Sequence, residues 1–164
     1  MENLELRMYG LVPYNISPIQ QGIQFGHGVV EYERRYGGSF LYNDWASNWK
    51  TFIILNGGTT NKNEDRLGTL NKHLITLSTN QIPHSVFYEP DLGDQLTSVN
   101  FIADERSFNK DKYPDYNGSY YSNFLGTFPS EVEYNKWLEQ FDDTEDVIKK
   151  ILFLREFIFN FKLT

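Results

Sequence analysis

The sequence predicts an α/β fold: a mixed four-stranded sheet flanked by helices, with a helical C-terminal extension. Three observations predict it. Apolar runs of strand length alternate with stretches of helical periodicity, in the order strand, helices, strand, helix, strand, strand, helices. Helical crossovers separate the first three strands, which makes those strands parallel and puts their C-terminal ends on one edge. The 164 residues are 40% hydrophobic and 23% charged, enough for a single domain over 1–164 with its own core. Within it, 5–104 form the α/β core, 105–128 a long loop and 129–164 the C-terminal helices.

The elements follow in order. Glu5 to Val12 alternates in polarity and stops at Pro13, the pattern of a strand. Ser17-Pro18 opens a helix, because serine caps and proline has no N–H to leave unpaired. That helix runs to Arg35 and ends at Gly37-Gly38. Phe40 to Lys50, with Trp45 and Trp49 four apart, reads as a short second helix. Thr51 to Asn56 is a continuous apolar run, which predicts a strand buried on both faces. A glycine-bearing polar loop follows to Asp65. Leu67, Leu70, Leu74 and Ile75 place a third helix over 66–81. Ser85–Glu89 and Thr97–Ala103 are the third and fourth strands. The Tyr-, Asn- and Gly-rich stretch after Asp104 is the long loop. Ser130 and Glu133 have the spacing of a capping box for a helix to Phe141. The acids of 142–146 open a last helix, apolar nearly all round and therefore buried in the domain or in a partner.

Composition excludes several classes of function. A net charge of −7 disfavours broad nucleic-acid binding through phosphates. With no cysteine, disulfide frameworks and thiolate metal sites are out, and a reducing cytoplasm is the default location. No run approaches the roughly 18 apolar residues of a membrane span, and no signal peptide is visible, so no membrane association is expected. His27, His73 and His84 lack metal-ligand spacing; no metal site or cofactor is expected, and the last two read as surface residues. Met8 and the two tryptophans read as core.

In open α/β sheets ligands bind beyond the carboxyl ends of the strands. Here that edge gathers Pro13 to Ser17, Gly57 to Asp65, and Pro90 to Gln95. On the first helix Gln20, Gln24, His27 and Glu31 form one polar stripe, and Ile19, Ile23, Gly26 and Val30 an apolar stripe beside it. Gly22, Gly26 and Gly28 each cost roughly 1 kcal/mol of helix stability, which close approach to the sheet or a ligand would explain. Ser17 stands at the helix N-terminus, where free N–H groups favour anions. Asn56 to Thr60 lacks the Gly-Lys-Ser/Thr ending of a triphosphate loop and reads as a turn. Glu89-Pro90-Asp91-Leu92-Gly93-Asp94 clusters three carboxylates; Asp91 or Asp94 could accept from ligand hydroxyls or act as a general base. No serine lies in a Gly-x-Ser-x-Gly elbow.

Ser17-Pro18-Ile19-Gln20-Gln21-Gly22-Ile23-Gln24-Phe25-Gly26-His27-Gly28 resembles the first-helix motif of type II peptidyl-tRNA hydrolases, Gly-Lys-x-Ala-Ala-Gln-x-x-His-Ala. Pro90 to Thr97 resembles their aspartate-containing turn and the strand after it. The likeness covers about 5–104, and phrases such as YNISPIQQGIQ and FLREF are similar to phage-encoded members. The resemblance implies His27, Asp91 and Thr97 as catalytic residues and Gln24 as the motif glutamine. Tyr14, Asn15, Ser17, Gln20, Gln24, Asp94 and Gln95 are the implied ligand-binding set. Two positions depart from the motif. Gln20 stands at the lysine that would stabilise an oxyanion or a phosphate. Gln95 stands at the threonine, so Thr97 fits with a shift.

Two functions follow. In one, the pocket holds a nucleotide-like small molecule without cutting it, as a phage protein sequestering a host nucleotide signal in the host cytoplasm would. In the other, it positions water against the ester at the tRNA 3′ end of peptidyl-tRNA. The missing lysine, the acidic surface and the 16% aromatic content favour the binder. The apolar last helix adds the expectation of a homo-oligomer, dimer or higher.

Overall fold

A computed structural model describes residues 3–117, 120–123 and 126–163, the side chains of 120–123 and 126–129 excepted. Four strands form one sheet: β1 (Leu6–Pro13), β2 (Thr51–Gly58), β3 (Ser85–Glu89) and β4 (Gln95–Asp104), in the order β2-β1-β4-β3. β1 and β2 are parallel, and β4 runs antiparallel to both β1 and β3. β1, β2 and β3 therefore share one direction, and the turn from β3 into β4 lies at the edge where all three end.

Alternation along β1 builds two cores. Leu6, Met8 and Val12 face one side with Ile102 of β4, packing against Phe25, Tyr32 and Trp45. These last belong to α1 (Pro18–Tyr36) and to the turn of π-helix, Trp45–Trp49, that continues α2 (Phe40–Asp44). Tyr9 and Leu11 face the other side with Val99, Phe101 and Ala103. There α3 (Thr69–Thr79) contributes Leu70 and Leu77, and α6 (Glu145–Phe159) contributes Leu154 and Phe157. Helices thus cover both faces of the sheet. Lys50, left-handed at φ 54°, ends the π-turn and starts β2.

Several expectations change. β2 is not buried on both faces. It is a sheet edge, Phe52 and Asn56 are exposed, and Asn56 N–H donates to the Lys162 carbonyl at 3.0 Å beyond that edge. The 105–128 stretch is not one loop. It holds α4 (Glu105–Phe108), and β5 (Tyr120–Asn123) pairs with β6 (Gly126–Pro129); positions 118–119 and 124–125 lie outside the described residues. α5 (Glu131–Leu138) starts at Ser130, but the serine side chain caps nothing, so no capping box forms. His73 is half-buried, edge-on to Phe157 and Phe161, and burial lowers its pKa. His84 is half-buried as well, 2.7 Å from the Ile82 carbonyl through Nδ1. Most apolar residues of α6 pack within this chain: Ile151 packs with Tyr113 and Phe141, and Leu154 and Phe157 enter the sheet core, while Phe159 stays exposed. Among the described residues no helix is long and apolar enough to cross a membrane.

Candidate functional site

α1 is positioned by glycines and neutral polar side chains. The Ser17 hydroxyl accepts from Gln20 N–H and caps the helix at 3.2 Å. A Cβ on Gly28 would collide with Asn100 and Ser98 of β4, so the helix crosses the sheet closer there than any other residue permits. The contact is fixed by hydrogen bonds. Asn100 Nδ2 donates to the Phe25 carbonyl at 3.3 Å, and Ser85 Oγ donates to the Gly28 carbonyl at 2.7 Å. Gly22 and Gly26, by contrast, have nothing within 4 Å of an added Cβ. Close approach explains one of the three glycines, not all.

The decisive local feature lies in β4. Phe87 pairs with Ser98 and Tyr88 with Leu96, leaving Thr97 as the extra residue of a β-bulge. Strict alternation would send Thr97 to the face opposite Ser98. The bulge turns both toward α1. Thr97 Oγ1 donates to Gln24 Oε1 at 2.6 Å, and both residues are buried. Gln24 Nε2 donates to Glu89 Oε2 at 2.8 Å. An ionised carboxylate can only accept, so the amide must show its NH2 to Glu89 and its carbonyl to Thr97. A longer contact of 3.5 Å joins the same Nε2 to Gln20 Oε1.

Glu89 closes the turn that follows β3. Its Oε1 accepts from Asp91 N–H at 3.2 Å, and its carbonyl accepts from Asp94 N–H at 3.0 Å. Gly93 and Asp94 are both left-handed, at φ 65° and 59°, which this reversal requires and which Gly and Asp tolerate. The Gln24 hydrogen bond first, the Asp91 N–H next and nearby His27 hold the Glu89 carboxyl below the usual range, against a smaller opposing effect of desolvation. His27 itself lies flat on Phe87, ring centroids 4.4 Å apart and planes 24° apart.

The structure therefore brings together Gln20, Gln24, His27, Thr97 and the Asp91 backbone around a residue outside the expected site set, Glu89. The signal was present: Glu89 is the first carboxylate of the acidic turn and the last residue of a strand that ends at the ligand edge. Asp91 and Asp94 are exposed on the same turn. Gln95 keeps its Oε1 buried without a partner. Tyr14 and Asn15 are exposed; Tyr14 N–H is committed to the Gly58 carbonyl at 3.0 Å. Lys62 brings a cation to the rim, donating to the Gly93 carbonyl at 2.9 Å. Asn56 Oδ1 accepts from Gly58 N–H at 2.9 Å, and Thr59 N–H donates to Thr69 Oγ1 at 2.8 Å, so these donors serve the turn itself and the start of α3.

Chemically the rim presents hydrogen-bonding side chains and an aromatic stack. No hydrogen bond joins His27 to Asp91 or to Thr97 among the described residues, and the Thr97 proton is committed to an amide oxygen. A nucleophile with an adjacent base is not assembled. The α1 terminus offers few free donors: Pro18 has none, Gln20 N–H is taken by the Ser17 hydroxyl, and Gln21 N–H by the Ser17 carbonyl at 2.8 Å. Among the described residues no group of three or more His, Asp or Glu could hold a metal ion. The largest cavity described, about 690 Å³, lies elsewhere, between Tyr116, Trp137, Phe153, Arg155 and Phe159. None of the residues expected from the sequence lines it.

No family model matches the chain, and no curated protein matches it.

Proposed function

We propose that the rim binds a nucleotide-like small molecule without hydrolysing it. The observation that carries this reading is the Thr97–Gln24–Glu89 chain, which ends in a carboxylate fixed by two donors and beside a flat imidazole–phenyl stack. Glu89 is ionised at neutral pH and has acceptor capacity left for a base amino group or a ribose hydroxyl. His27 is exposed, and the face it turns away from Phe87 suits a flat ring. Gln20, where the motif has lysine, supplies an amide in place of a charge. Binding without turnover is how a sink for a nucleotide signal works, the role the similarity to phage-encoded proteins suggests.

The second reading, ester hydrolysis of peptidyl-tRNA, draws on the meeting of the motif glutamine with Thr97. One experiment decides between them. The protein is titrated calorimetrically with mononucleotides and cyclic dinucleotides, and separately incubated with peptidyl-tRNA, with products followed by chromatography. Saturable binding, at least tenfold weaker in Glu89→Gln, with the ligand recovered intact after heat denaturation, is the expected result. Ester cleavage abolished by His27→Ala overturns it, and so does the absence of binding to every nucleotide tested.

A further inference from the structure

α1 has a second face that neither the sheet nor the rim uses. Ile19, Ile23 and Val30 lie along it, 77%, 43% and 56% exposed. Gly22 and Gly26 sit between them, each open to solvent on its Cα side. Each glycine costs the helix about 1 kcal/mol, with no compensating contact inside the chain. The face is also free of charge. From Met8 through Val30 there is no Asp, Glu, Lys or Arg, in a protein of net charge −7. Charges return only in the last turns as Glu31, Glu33, Arg34 and Arg35, which sum to zero.

We propose that this face docks on the same face of a second copy, the two α1 helices crossing antiparallel over their Gly22–Gly26 segments. Charge selects the occupant. Two copies at −7 repel across most of their surfaces, and this neutral patch is where that repulsion is least. A cationic partner would instead be drawn to the acidic turn of Glu89, Asp91 and Asp94. Charge also selects the orientation. The Ser17 hydroxyl caps the first turn of α1, but that turn contains no acidic residue, so no carboxylate of its own meets its N-terminal partial positive charge. The antiparallel arrangement brings Glu33 of the partner subunit beside it and opposes the helix dipoles. It sets Ile19 near Val30 of the partner subunit, the contact spanning about 16 Å of each helix at 1.5 Å per residue. The contact is isologous and closes as a dimer. Gln20 and His27 occupy the next row of α1, so the two rims would border one interface.

Sedimentation velocity from micromolar to several hundred micromolar protein tests this. A reversible dimer is expected, at least tenfold weaker in Ile23→Glu and in Ile19→Glu, and unchanged in Ile75→Glu on the exposed side of α3. Ile23→Lys should also dissociate, and mixing it with Ile23→Glu should restore a dimer at wild-type affinity or better. Wild-type protein that stays monomeric over the whole range overturns the proposal. So does a dimer that Ile75→Glu weakens as much as Ile23→Glu, or a charge-swapped mixture that does not re-associate.

Discussion

Two regions of the molecule bury polar groups, and they do it in opposite ways. Under α1 the buried groups are neutral: Thr97, Gln24, Ser98, Asn100 and Ser85, linked by hydrogen bonds. Where the C-terminal helices join the core they are charged. Arg106 takes two bonds to Asp104, one to the Phe141 carbonyl and one to Asp143. Arg155 donates to the carbonyls of Arg106 and Tyr113 and to Asp115, at 2.7, 2.9 and 2.7 Å. Neutral groups desolvate at modest cost and can be left partly open to a ligand. Buried guanidinium groups must be answered in full and suit a fixed joint. The first arrangement suits the candidate site, and the second fastens an extension.

The strongest way to break that contrast is Arg155→Ala. It strips partners from two carbonyls and from Asp115, whose carboxyl Lys110 first and Arg155 second hold below its usual range. We expect a loss of about 1–3 kcal/mol for each of the two buried carbonyls left without its donor, the largely exposed Asp115 adding little, read from the urea midpoint. A loss under about 1 kcal/mol would mean that the extension is held by Ile151, Leu154 and Phe157 alone.

Thr97→Val is the counterpart in the neutral network. It keeps the shape and removes the hydroxyl, leaving the buried Gln24 carbonyl without its donor. About 1–3 kcal/mol should be lost, together with nucleotide affinity, whereas Arg155→Ala should leave the affinity of the folded protein unchanged. Gly28→Ala acts on the same contact through volume. Its methyl meets Asn100 and Ser98, and overpacking of about 1–3 kcal/mol should exceed what alanine returns in helix propensity.

How much of this the sequence discloses depends on the range of the signal. The sheet and the α1 start at Ser17-Pro18 are legible because they rest on local periodicity and a cap, and helical spacing alone puts Gln24 and His27 on one stripe, whereas Asp91 enters the turn only through its backbone N–H. Thr97 is legible only as a misfit, two residues beyond its expected place, because a bulge is a property of two paired strands and leaves no local mark. Glu89 hides among three acids until Gln24 selects it from another element. Arg106 and Arg155 look like ordinary surface arginines, since nothing in the chain near either one announces acceptors about 40 residues away. The exposure of β2 is illegible for the same reason: apolar content marks a strand but not its position in the sheet.

Acid separates the two regions less steeply. The Glu89 carboxyl titrates below its unfolded value, so its contribution is complete above the ordinary carboxylate range and is lost as pH falls through the lowered value. Nucleotide affinity should be flat from neutral pH downward until that point and then drop. In Glu89→Gln the affinity is already reduced and this acid limb should be missing. Calorimetry across the acid range checks both, and an unchanged limb in the variant would assign it to Asp91 or Asp94.

The smallest effect carries the opposite sign. Gly22→Ala adds a methyl where nothing lies within 4 Å, at a helical position that asks for no glycine conformation. The folded monomer should gain about 0.5–1 kcal/mol from reduced backbone freedom in the unfolded chain. Measured by thermal unfolding at low protein concentration, Gly22→Ala and Gly28→Ala should therefore move the midpoint in opposite directions, though both put the same methyl on the same helix. At high concentration the Gly22→Ala gain should shrink if α1 meets α1, because the methyl then stands between two backbones. A gain that holds at every concentration would leave that glycine without a use in either the monomer or the dimer.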